Sequence, residues 1–165
     1  MVKVKLTIGD WSNDGHGNSE IYVYESNKTV KEIQKAYMDS CNKTGLSFHH
    51  SSPVPQPHIG LNWDELKAKQ LFCEYEDNEM SNEQAKTLAE FGVICDGDAD
   101  DDMDGFYMDP DGLAGIIIDF IKISLPDWEP KEASFKKSEL QSIKPINGWW
   151  CEGLNVGFGY GVCGR

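Results

Sequence analysis

The 165-residue chain carries 28 acidic side chains against 15 basic ones, a net charge of −13, with 39 % hydrophobic residues and five Trp. That length suits one domain, 1–165, able to bury a core without staples, and the apolar content separates it from disordered acidic chains. No apolar run reaches the ~20 residues that span a bilayer, and no basic stripe suits phosphates, so neither membrane insertion nor direct nucleic-acid binding is expected.

The chain opens with Val2, Val4, Leu6 and Ile8 alternating with Lys3, Lys5 and Thr7. This period of two predicts a strand with one buried face and lacks the central apolar block of a signal peptide, so a cytoplasmic chain is expected. A loop from Asp10 to Ser19 follows, then Ile21 and Val23 alternating with Tyr22 and Tyr24, which predicts a hairpin. Thr29 and Glu32 have the spacing of a capping box, predicting a helix from Val30 to about Lys43 with Val30, Ile33, Tyr37 and Cys41 as its apolar stripe and Gly45 beyond its end. Phe48 to Gly60 holds three prolines and reads as a connection. A second helix is expected to carry Trp63, Leu66, Leu71 and Phe72. Ser81 with Gln84 opens a third that Gly92 stops, and Val93 to Cys95 reads as a short strand. Asp109 and Pro110 fit the cap and first turn of a fourth, the most apolar helix, containing Leu113, Ile116, Ile117, Phe120 and Ile121. The tail alternates Leu154, Val156, Phe158, Tyr160 and Val162 with a face made mostly of glycine, a strand whose bare side admits a closely packed neighbour. The fold class expected is α+β: a mixed or antiparallel sheet, formed by the N-terminal hairpin and the C-terminal Gly-alternating strand, packed against about four helices.

Five cysteines, widely spaced and without a C-x-x-C pair, predict free thiols rather than a zinc site.

The charge is lopsided. Between Glu74 and Asp111 stand fourteen acids and one base, Lys86, and the rest of the chain is electrically neutral. Clustered like charge destabilises a fold unless a cation or a basic partner offsets it. The leading functional expectation is a small acidic intracellular binding protein of the inhibitor, immunity or nucleic-acid-mimic kind. It would engage a basic protein through Glu74, Glu76, Asp77, Glu79, Asp96 and Asp98, with Phe106 and Tyr107 as aromatic anchors.

A second expectation lies inside the same segment. Asp100, Asp102 and Asp104 alternate, Gly105 follows, and Asp111 stands at the twelfth position. Over these twelve residues the spacing resembles an EF-hand calcium loop, which implies Ca2+ or Mg2+ held by those four carboxylates and the Phe106 carbonyl. The pattern departs from that loop in closing on Asp rather than Glu and in carrying Pro110 at the eleventh position. No other cofactor is called for. A third expectation, a small metal-dependent hydrolase, rests on Asp10, Asp14 and His16, two carboxylates and an imidazole in the loop leaving the first strand.

Overall fold

A computed structural model describes residues 1–9, 19–46, 48, 79–100 and 104–146. Strand β1 (Val2–Gly9) pairs antiparallel with β2 (Ser19–Ser26) in the expected hairpin, with Val4 opposite Tyr24 and Leu6 opposite Tyr22. Helix α1 (Val30–Thr44) starts on the expected capping box: the Thr29 hydroxyl accepts from the Glu32 N–H, and the Glu32 carboxylate accepts from the Thr29 N–H. It ends where Gly45 turns left-handed at φ 70° and donates its N–H to the Cys41 carbonyl, a conformation that glycine adopts without a Cβ clash.

Strand β3 (Glu79–Ser81) runs straight into α2 (Asn82–Glu90), whose cap is the second capping box, Ser81 with Gln84. Strands β4 (Asp98–Asp100) and β5 (Gly105–Tyr107) follow. Helix α3 (Pro110–Lys122) is capped by Asp109, whose Oδ1 accepts from the Gly112 N–H at 2.6 Å. Beyond it lie β6 (Lys131–Glu132), a single 3-10 turn at Lys137–Glu139 and β7 (Lys144–Pro145).

The strands make two sheets. One is mixed, ordered β6-β2-β1-β7, with β7 parallel to β1 and the other pairs antiparallel. The second is antiparallel and ordered β3-β5-β4. The α+β class therefore holds, with three helices among the described residues against about four expected. The helix expected around Trp63 to Phe72 and the glycine-alternating strand at 153–163 lie outside those residues.

Two local expectations are corrected. Val93 to Cys95 is not a strand: Val93 is buried and Ile94 exposed, as alternation requires, but no strand among the described residues pairs with them. Pairing begins at Asp98, where β5 runs alongside. The stretch from Asp100 to Asp111 that resembles a calcium loop overlaps the paired strands β4 and β5, although Asp-x-Asp is disfavoured in strands until a partner strand satisfies its backbone.

The core joins one face of the mixed sheet to α1 and α3. Val4, Leu6 and Ile8 meet Ile33, Tyr37 and Cys41 of α1 and Leu113, Ile117 and Phe120 of α3. Phe120 sits between two rings, with Phe48 edge-on at a centroid distance of 4.9 Å and Tyr37 tilted at 5.6 Å. The opposite face of β1 carries Lys3, which is exposed, and Lys5, which is covered. Lys5 is 4 % exposed and donates Nζ–H to the Leu140 carbonyl at 2.9 Å, and Lys3 reaches the Ser134 carbonyl at 3.2 Å. The single buried face expected of β1 is thus joined by a second point of burial, Lys5, where the chain near Leu140 and Ile146 crosses it.

Candidate functional site

The acids that the structure describes stand at the surface. Glu83, Glu90, Asp96, Asp98, Asp104, Asp109 and Asp111 are all exposed. The ion pairs among the described residues, Lys3–Glu139, Lys28–Asp127 and Lys35–Asp39, include none of them. Asp98 lies on β4, the edge of the smaller sheet, so its carboxylate is added to a row of backbone groups facing outward.

The residues of the EF-hand-like spacing are held by different elements. The Asp104 carboxylate accepts from Asn82 Nδ2 at 2.6 Å, and its carbonyl accepts the Asn82 N–H at 2.8 Å, which ties it to the start of α2. Asp111, in the first turn of α3, accepts the Tyr22 hydroxyl at 2.7 Å. Phe106 is the middle of the central strand, opposed by Met80 on one side and Ala99 on the other. Asp100 pairs with Gly105 across the hairpin, and Asp102 lies outside the described residues. Among the described residues no three His, Cys, Asp or Glu side chains come together in a group that could hold a metal ion.

Of the residues expected to meet a basic partner, Asp96 and Asp98 are exposed, Glu79 opens β3, and Glu74, Glu76 and Asp77 lie outside the described residues. Phe106 and Tyr107 are half-buried, and Phe106 packs against the core. The exposed apolar side chains of the segment are others: Ile94 is 80 % exposed and Phe91 39 %. Both stand near acids: Glu90 directly precedes Phe91, and Asp96 is two residues after Ile94. Which of Val93, Ile94 and Cys95 turns outward has no sequence signal, since all three are apolar. Asp10, Asp14 and His16 lie outside the described residues.

A cleft that the sequence reading missed lies between β2, α3 and the chain from Trp128 to Glu132, with a volume of about 820 Å³. Tyr22 and Tyr24 form one wall, Ala114, Gly115 and Ile118 of α3 the floor. Trp128, fully buried behind it, donates its indole N–H to the Ser26 hydroxyl at 3.0 Å. Burial, then the neighbouring Glu132 and Asp111 carboxylates, push the Tyr24 phenol up to about 12. Burial and the hydrogen bond to Asp111 raise Tyr22 well above the ordinary phenol range. Both phenols are therefore neutral through the physiological range and act as hydrogen-bonding groups, not as bases. The sequence signal for the cleft was thin: two tyrosines two apart on one strand, and a glycine inside an otherwise apolar helix. The three segments that form it are far apart in the chain.

Comparison of the chain with protein-family models, with curated proteins and with solved structures finds no match. No helix among the described residues is long and apolar enough to cross a membrane.

Proposed function

We propose that this chain is an acidic binding protein, of inhibitor or immunity type, that engages a basic protein through the surface containing Glu90, Phe91, Ile94, Asp96 and Asp98. The observation that carries the reading is Ile94, a large aliphatic side chain 80 % exposed beside carboxylates that form no ion pair among the described residues. A lone exposed aliphatic is ordinary, but one within an acidic rim has the layout of a protein interface: an apolar anchor that excludes water, ringed by charges that steer the partner and fix its orientation. The apolar anchor favours a pocket on a basic protein over a phosphate-tracking groove.

Affinity capture from the native cell at low and at high salt tests this. A basic protein should be retained at low salt, released as ionic strength rises, and lost from Ile94→Asp at any salt. Equal retention by wild type and Ile94→Asp, or capture indifferent to salt, would overturn the reading.

A further inference from the structure

The cleft between β2 and α3 holds a polar group that the described residues leave without a partner. Tyr24 is 5 % exposed, and its hydroxyl has no hydrogen-bond partner among the described residues. Buried hydroxyls nearly always have one. Tyr22 next to it is not available as a donor, because its own hydroxyl is given to Asp111 at 2.7 Å. What faces Tyr24 is negative. Glu132 is its directly paired residue on β6, so the two side chains leave the sheet on the same face. Glu132 and Asp111 are also the two charged groups that hold the Tyr24 proton in place.

The two lysines of the cleft do not neutralise this end. Lys122 is in the last turn of α3 and Asp111 in the first, about 16 Å apart along the axis at ~1.5 Å per residue. Lys131 leaves β6 on the side opposite Glu132. Neither forms an ion pair with a carboxylate of the cleft. The floor is apolar and open: a Cβ built on Gly115 would meet nothing within 4 Å.

We propose that this cleft binds an alkylammonium or guanidinium group, its cationic head between Tyr24, Asp111 and Glu132 and its apolar stem along Ala114, Gly115 and Ile118. A phenol with its proton turned away and two carboxylates supply acceptors to a group that carries only donors. The site shares only Asp111 with the acidic segment and does not depend on the Ile94 surface. The same head and stem occur in free amines and in the basic side chains of proteins.

Calorimetric titration of the full chain with pentylammonium, with hexanoate as the anionic counterpart, tests the proposal. Pentylammonium should bind saturably and hexanoate should not. Tyr24→Phe, which removes a hydroxyl that no described residue hydrogen-bonds, should weaken binding about tenfold with the melting temperature unchanged. A Cβ at Gly115 meets open space, so Gly115→Leu should fill the floor and abolish binding while the chain stays folded. Nα-acetyl-lysine methylamide separates the sources: binding equal to pentylammonium assigns the cleft to a protein side chain, and binding of the free amine alone assigns it to a small molecule. No saturation by pentylammonium, equal binding of hexanoate, or an unchanged affinity in Gly115→Leu would overturn the site. Gly115→Leu leaves Ile94 intact, so partner capture by that variant reports separately on the acidic surface.

Discussion

At the scale of single residues, three glycines that read alike in the sequence have opposite roles. A Cβ on Gly97 would lie 1.9 Å from the Tyr107 carbonyl oxygen, and one on Gly105 would lie 2.2 Å from that of Met80. Both obstacles are backbone of the smaller sheet and cannot swing aside. Gly97→Ala and Gly105→Ala are therefore expected to lower the urea midpoint, by about 1–3 kcal/mol of stability each, the usual cost of overpacking. Gly115→Ala meets open space in a helix and should raise stability by up to about 1 kcal/mol. The same sign in all three would mean that backbone approach is not what the first two glycines serve. The thiols are equally dependent on place. Burial pushes Cys41 well above the ordinary range and Cys95 up to about 11. The thiolate is the reactive form, so site-resolved alkylation near neutral pH should find both slow, with Cys41 modified only on unfolding. Rapid labelling of Cys41 in the native protein would contradict its placement at the α1–α3 contact.

At the scale of elements, the three helices share one device, a polar side chain that closes the first turn: Thr29, Ser81 and Asp109. Such chemistry is local, which is why Thr29–Glu32, Ser81–Gln84 and Asp109–Pro110 were legible before any contact was known. It also makes stability depend on pH. Hydrogen bonds from Thr29 hold the Glu32 carboxyl below the usual carboxylate range, and Lys28 does the same to Asp127. A depressed native pKa contributes stability that is present above the unfolded value and lost as pH falls through the native one. Glu32→Gln keeps the cap geometry without the titration, so its melting temperature should fall less steeply on acidification than that of wild type. Tyr24 acts in the opposite direction. Its native pKa, about 12, lies above the ordinary phenol value near 10, so the native state retains a proton that the unfolded chain releases. The stability linked to it is complete below that ordinary value and declines as pH rises toward 12. A Tyr24→Phe variant should lose less stability than wild type over that alkaline window, measured by denaturant unfolding at stepped pH. Parallel curves would remove Tyr24 as a titrating contributor.

At the scale of the whole molecule, charge and fold are arranged separately. The described residues of the segment that holds the entire net charge of −13 form the β3-β5-β4 sheet, α2 and the start of α3, whereas the mixed sheet and α1 come from the part of the chain whose charges cancel. Repulsion among acids on one side weakens the native state, and salt screens it over about 10 Å at ~0.1 M. The melting temperature should therefore rise from low to moderate sodium chloride, even though the isolated pairs Lys35–Asp39 and Lys3–Glu139 weaken. A fall on adding salt would mean that the carboxylates are compensated within the fold.

The amino-acid order alone settles what depends on near neighbours. Alternation in Val2 to Ile8 and in Ile21 to Tyr24 dictates the hairpin, because burying one face of a strand needs only a period of two. Caps and the apolar run from Leu113 to Ile121 dictate where α1, α2 and α3 begin. Tertiary structure decided what depends on partners distant in the chain. Asp98 to Asp100 becomes a strand only because β5 lies beside it, and Lys5 is buried only because the chain near Leu140 crosses over it. Ile94 faces outward because Val93 is taken into the core, and the tyrosine-walled cleft exists only where β2, α3 and β6 converge. The acidic segment was visible as charge from composition. Where its carboxylates point, what lies among them and which are already engaged by Asn82 or Tyr22 follows from packing, since a carboxylate carries the same charge wherever its backbone leads it.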